Sequence, residues 1–328
     1  MILRPSVLCP VDFSESSRGA LRYARAIAAH FAARLTVLAV DDPLLGEAAA
    51  MSADDTPVSE DTAREIDRFV HQTFTSIRRD GIDLRCEVAI GKPAAEILRV
   101  SRERGCDLIV MSSHGLTGFR KMFFGSTTER VLRETTVPVL VTSGADQGPK
   151  EVEEVASLVK RVLVPVDFTP ATAWQLRFAR GLCEAVNRPL LLAHVIEPVR
   201  TRVAAHSRLL HVEAERRSRA ESALESLVED VPPTLKPEAL VAYGEPAEEI
   251  AKLAADRDAG LIVMGLHSSP LTGPRMGSVT YRVLCLAARL VLAIPPVLAH
   301  QASLEMQPDT PDVCNECGIV SHARVAPS

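Results

Sequence analysis

The chain repeats itself at long range. Val7-Leu8-Cys9-Pro10-Val11-Asp12-Phe13-Ser14 returns 155 positions later as Val162-Leu163-Val164-Pro165-Val166-Asp167-Phe168-Thr169, and Leu21-Arg22-Tyr23-Ala24-Arg25 returns at the same shift as Leu176-Arg177-Phe178-Ala179-Arg180. Ala89 to Ile97 matches Ala242 to Ile250, and Leu108-Ile109-Val110-Met111 matches Leu261-Ile262-Val263-Met264, both at a shift of 153. A period of this length is a whole domain rather than the unit of a solenoid. Two tandem domains are therefore expected, at 1–143 and 161–296, with a linker at 144–160 and a short C-terminal tail at 297–328. The boundary is expected in the polar run Ser143 to Lys150, and Glu151 to Lys160 is expected to form a short connecting helix.

Within one copy the periodicity alternates between two patterns. Ser6 to Val11, Leu35 to Val40, Leu84 to Ile90, Leu108 to Met111 and Val137 to Val141 are short apolar runs, the signature of strands buried on both faces. Helical stretches lie between them. The first, about Glu15 to Ala33, puts Leu21, Ala24, Ile27, Ala28 and Phe31 on one stripe. The second is expected to start at the capping box Thr62-Ala63-Arg64-Glu65 and to stop at Gly81, with Ile66, Phe69, Val70, Phe74 and Ile77 inward. A third has Pro93 in its first turn and Gly105 after its last. Alternating strands and helices predict an α/β fold, a doubly wound parallel sheet covered on both sides. The second copy repeats the plan with a longer charged helix, roughly Arg202 to Glu229.

Composition narrows the function classes. Apolar residues make up 47% of 328, ample for a core, and 37 basic against 42 acidic residues give a net charge of -5. No basic excess draws the chain to nucleic-acid phosphates, and 4% aromatics with one Trp leave few stacking platforms. Leu290 to Ala299 is broken by Pro295 and Pro296 and falls short of the ~20 residues of a membrane span. Met1-Ile2-Leu3-Arg4-Pro5 carries no export pattern, and Cys9, Cys86, Cys106, Cys183 and Cys285 stand singly in apolar segments as reduced thiols do. A cytoplasmic protein with neither nucleic-acid nor membrane partners is expected.

In such a sheet, ligands bind beyond the carboxyl ends of the strands. Asp12 follows the first strand, where an acid either meets a ligand or, with Ser14, caps the next helix. After the fourth strand comes Ser112-Ser113-His114-Gly115-Leu116-Thr117-Gly118, and then Gly125-Ser126-Thr127-Thr128 opens a helix. Glycines let backbone amides approach a ligand closely, and small hydroxyl residues at a helix N-terminus add donors where the dipole favours an anion. The alternative is a loop followed by a serine cap. No glycine loop ends in Gly-Lys-Ser/Thr, and no Gly-x-Gly-x-x-Gly follows a strand. Asp107 to Met111 looks like the phosphoacceptor strand of a response regulator, but Ser112 stands where an aspartate is required. His114 has no nucleophile and orienting carboxylate to work with, so it reads as a residue that structures the loop.

These residues resemble the universal stress proteins in their tandem two-domain form, and the resemblance runs from Val7 to Pro295. The family's nucleotide loop is Gly, two residues, Gly, nine residues, Gly, then Ser or Thr. The first copy has Ser112-Ser113-His114-Gly115, nine residues from Leu116 to Phe124, and Gly125-Ser126, with only the first glycine replaced. Pro10-Val11-Asp12 and Val40 match family positions that enclose the adenosine of ATP. The resemblance implies a five-stranded parallel sheet ordered 3-2-1-4-5 in each domain. It also implies an ATP site lined by Met111, Ser112, His114 and Gly115, with Gly125, Ser126, Thr127 and Thr128 on the phosphates and a divalent cation, Mg, beside them. It implies a stress-linked regulator or protective factor. No lysine, arginine finger or water-orienting base can be placed at the loop, so a binding protein is expected rather than an enzyme, with slow ATP hydrolysis left open.

The second copy departs from this pattern. It has Gly265-Leu266-His267-Ser268, eight residues to Met276, then Gly277-Ser278, with Pro270 and Pro274 inside the loop. One nucleotide per chain, held by the first copy, is the expectation. The contrasting class is an interaction module without nucleotide, in which Val137 to Val141 and Leu290 to Ile294 pair between the two domains, as an intramolecular pseudo-dimer, or between subunits of a homodimer. In the tail, Cys314-Asn315-Glu316-Cys317-Gly318 offers two thiolates, half of a tetrahedral zinc site, with His322 as a third candidate ligand. A plain thiol pair is the alternative.

Overall fold

The computed structural model describes residues 4–43, 58–74, 81–113, 125–144, 147–151, 154–198, 206–266, 268–269, 273–274 and 277–296. The first copy runs β1 (Ser6–Pro10), α1 (Glu15–His30), β2 (Arg34–Asp41), α2 (Val58–Thr73), β3 (Asp83–Ile90), α3 (Pro93–Glu103), β4 (Leu108–Ser112), α4 (Ser126–Glu134) and β5 (Val139–Thr142). A helical turn at Val155–Leu158 lies within the expected connecting helix. The second copy runs β6 (Val162–Pro165), α5 (Pro170–Val186), β7 (Leu190–Ile196), α6 (His206–Glu229), β8 (Glu238–Tyr243), α7 (Pro246–Asp256), β9 (Leu261–Gly265), the short strands β10 (Ser268–Ser269) and β11 (Gly273–Pro274), α8 (Ser278–Leu286) and β12 (Leu290–Ile294).

The apolar runs form parallel strands, and each copy has the order 3-2-1-4-5. The two sheets are continuous with each other: ten strands stand in the order β3-β2-β1-β4-β5-β12-β9-β6-β7-β8. The antiparallel contact within this sheet joins the copies, with Val291 opposite Val141, Leu292 opposite Leu140 and Ala293 opposite Val139. The two last strands thus meet inside one chain. One apolar cluster lies on each face of the sheet and each runs through both copies; Val7, Leu35 and Leu140 share the first with Val162, Leu190 and Leu290, while Leu8, Ile109 and Val139 share the second with Leu163, Ile262 and Val291. At the seam, α1 and α5 leave a cavity of about 450 Å³ over the amino ends of the central strands.

Matching turns recur in the two copies. Between β3 and α3, Gly91 has φ 153, and a Cβ there would stand 2.9 Å from Glu96 Cγ; Gly244 has φ 146, and its Cβ would stand 2.8 Å from Glu249 Cγ. Only glycine fits either turn. One expectation is corrected. The second helix spans Val58–Thr73 among the described residues, so it is already helical four residues before the supposed capping box, and Ile77 lies outside the described residues. Thr62 sits inside the helix and donates its hydroxyl to Asp41 Oδ1 (3.0 Å), a tertiary contact with the end of β2 rather than a helix cap.

Candidate functional site

The crevice begins where β1 and β4 part. β1 pairs with β2 over five residues, Ser6 to Pro10, but with β4 only at Val7 opposite Leu108 and Leu8 opposite Ile109. Beyond those pairs, Cys9 to Asp12 and Val110 to Ser113 separate at the strand ends, which is the topological switch point of a doubly wound sheet.

On the β1 side, Pro10 and Asp12 are half-buried and Val11 is buried. Val11 N–H donates to Leu38 O (2.8 Å), which continues the ladder past the strand. Asp12 Oδ1 accepts from Ser14 N–H (3.2 Å) and Ser14 Oγ (2.5 Å), and Ser14 Oγ in turn accepts from Ser17 N–H (3.1 Å) to cap α1. The carboxyl therefore braces the cap while remaining at the crevice. Phe13, between them, has φ 63, and Phe168 in the second copy has φ 57. A bulky side chain in the left-handed region costs about 1–3 kcal/mol, and its recurrence marks this turn as a position set by the surrounding structure. Phe13 packs edge-on against Phe69 of α2 at 5.6 Å, with Arg18 over the same ring at 4.3 Å.

Val40, the residue before the end of β2, packs with the second cluster. On the β4 side, Met111, Ser112 and Ser113 are buried. Gly125 N–H donates to Ser113 O (2.9 Å), and Thr128 Oγ1 donates to Ser112 O (2.9 Å), so α4 is tied to the end of β4 at two points. The Thr128 hydroxyl proton is thereby committed to the fold, and only its backbone amide is left to face an anion. Gly125 is the N-cap and brings no side chain. The first donor inside α4 is Glu129 N–H, to Gly125 O (2.9 Å), so the amides of Ser126, Thr127 and Thr128 have no acceptor within the helix. Ser126 is exposed and Thr127 half-buried. His114 and Gly115 lie outside the described residues, as do Cys314, Cys317 and His322. Among the described residues no three His, Cys, Asp or Glu side chains form a metal cluster.

The second crevice is filled by its own chain. β6 and β9 also pair at only two positions, Val162 opposite Leu261 and Leu163 opposite Ile262. Across the gap beyond them, Gln175 Nε2 donates to Pro165 O (3.0 Å) and Val263 O (2.9 Å), with Gln175 itself 5% exposed. The matching residue of the first copy is Ala20. His194, which replaces Ala39, brings Nδ1 within 2.8 Å of Val166 O and stacks on Phe168 with ring centroids 4.5 Å apart. Ser268 and Ser269 pair back on Pro274 and Gly273, so the backbone ends of the second loop are bonded to each other. Gln175 and His194 were not singled out from the sequence; both are visible there as mismatches at the 155-residue shift.

A family model described as the universal stress protein family matches residues 4–143 and 159–295. Universal stress protein MJ0577 of Methanocaldococcus jannaschii is 25% identical over 154 residues, 43% of this chain and 95% of that protein. Universal stress protein MJ0531 of the same organism is 31% identical over 141 residues, 42% of this chain and 82% of that protein. The crystal structure of a universal stress protein from Archaeoglobus fulgidus superposes with a TM-score of 0.61 at 22% identity, covering 90% of this chain and 99% of that one, and supports the fold.

Proposed function

Because the chain belongs to the universal stress protein family, in tandem form, we propose that it is an ATP-binding stress-response protein whose first domain holds one nucleotide with a divalent cation. The observation that carries this reading is the spacing from Gly115 through nine residues to Gly125-Ser126, which opens α4 at the switch point. The backbone amides of Ser126, Thr127 and Thr128 suit an oxyanion, because they lack helical acceptors and sit at the positive end of the helix dipole. Asp12, Val11 and Val40 border the adenosine. Mg would neutralise phosphate charge. The chain's own residues position the nucleotide and shield its base side from water, and the reading requires no catalytic residue.

The contrasting role, an interaction module without nucleotide, expected these last strands to pair between the two domains or between subunits; β5 and β12 pair between the domains, which leaves neither edge free for another subunit. Calorimetry with Mg-ATP on the intact chain and on a Gly115→Ala/Gly125→Ala variant tests the proposal. Gly125 has φ -61 and ψ 132, which alanine adopts without strain, so there the change tests the close approach of a ligand rather than the turn. A loss of at least about tenfold in affinity is expected, as for one or two charge-assisted hydrogen bonds. Equal heats in the two proteins, or no heat in either, would sink the reading.

A further inference from the structure

Joining the copies edge to edge leaves a gap at the seam. α1 sits over β1 and β4, α5 sits over β6 and β9, and the paired strands β5 and β12 lie between them. The two helix axes are therefore four strand spacings apart, about 19 Å, roughly twice the distance at which helices pack. Tyr23 and Ile27 line the gap from α1, Phe178 and Leu182 from α5, and Leu140 and Leu292 form its floor, leaving a cavity of about 450 Å³. An apolar cavity of about 150 Å³ already suffices to bind benzene.

The space is long and narrow. Pro138 and Leu290 both line it, and the register places Leu290 opposite Thr142, four residues along the chain from Pro138, so it extends about 13 Å along the strands. Across the seam, the two flanking helices take up about 11 Å of the distance between their axes and leave about 8 Å, less than the diameter of a third helix. A single alkyl chain fits where a helix does not.

The two ends differ in charge. Because β5 and β12 run antiparallel, the amino ends of β4 and β9 lie at opposite ends of the seam. Asp107, before β4, stands at one end with His30 of α1; its Oδ2 accepts Ser6 N–H (2.8 Å), and its charge disfavours an acid there. Arg188, just past α5, stands at the other end, half-buried, with Nη1 donating to Asn187 O (3.3 Å). A guanidinium has five N–H donors in a planar fork, so it meets a carboxylate while keeping its bonds to the protein. The matching residue of the first copy is Ala33, so this charge is one-sided.

We propose that the seam cavity binds a single-chain aliphatic carboxylate, with the alkyl chain between α1 and α5 and the carboxylate on Arg188. The site is separate from the crevice between β1 and β4 and does not rest on the nucleotide reading.

Calorimetric titration of the intact chain with dodecanoate, below its micelle concentration, tests the proposal beside dodecanol, which keeps the chain and lacks the charge. One dodecanoate per chain is expected, bound about tenfold or more tighter than dodecanol, as for one charge-assisted hydrogen bond. Arg188→Gln is expected to abolish that preference and leave the affinity for dodecanol unchanged. Leu182→Trp fills the cavity from α5 and is expected to weaken both ligands, and circular dichroism verifies that both variants are folded. No binding of dodecanoate, or binding that Leu182→Trp leaves unchanged, overturns the site. Dodecanol bound as tightly as dodecanoate by the natural chain, or a preference that survives Arg188→Gln, overturns the carboxylate head on Arg188.

Discussion

Burial sets the chemistry of Cys9 and Cys183. Both are fully buried, and removal from water pushes the Cys183 thiol from its ordinary 9.0 up to about 12 and Cys9 further in the same direction. The thiolate is the form that burial penalises. Below pH 9 both the folded and unfolded chains keep these protons, and the thiols give stability no pH dependence. Above it the unfolded chain releases them while the native state retains them, so stability falls as pH rises, by roughly 1.4 kcal/mol per pH unit for each thiol. Urea unfolding between pH 8 and pH 10.5, on the natural chain and on Cys183→Ala, should show a shallower decline in the variant. Parallel curves would mean that Cys183 ionises as easily in the native state as in the unfolded one. At Asp12 the two roles considered from sequence prove compatible, because the carboxyl braces the Ser14 cap and still stands where β1 and β4 part.

At the scale of elements, the difference between the copies lies in what spans the gap between the first and fourth strands. Ala20 cannot make such a bridge in the first copy, while Gln175 spans the second gap from α5 with two hydrogen bonds. Gln175→Ala removes both bonds and opens space beside Pro165 and Val263. A loss of about 2–3 kcal/mol is expected, read from the urea midpoint by fluorescence of Trp174, the single tryptophan and the neighbouring residue. A change below ~0.5 kcal/mol would show that Gln175 does not hold these strand ends. The central strands were legible, because runs such as Leu108 to Met111 and Val162 to Val164 are apolar at consecutive positions, as strands covered on both faces require. Leu84 to Ile90, expected to be covered on both faces, instead forms the edge strand β3 and is largely half-buried or exposed. The start of α2 was not legible. Thr62-Ala63-Arg64-Glu65 has the composition of a cap, and nothing local reveals that the Thr62 hydroxyl belongs to Asp41, 21 residues earlier.

Across the whole molecule, the repeat fixes the architecture and the departures from it fix the asymmetry. Val137 to Val141 and Leu290 to Ile294 could be recognised as edge candidates, but their choice of each other depends on a linker that brings the two copies edge to edge within one chain. Ten strands in one sheet, with apolar clusters continuous across the seam on both faces, hold the two crevices on a common support. The crevices are unlike in three respects that act together: the loop spacing, the Gln175 bridge, and the His194 ring stacked on Phe168. Each is expected to weaken nucleotide binding in the second copy, and together they predict a single site. Equilibrium dialysis of labelled ATP with the intact chain, in the presence of Mg and at saturation, measures this most directly. One nucleotide per chain, lost in the Gly115→Ala/Gly125→Ala variant, is the predicted result; two per chain, or one that survives in that variant, would contradict it.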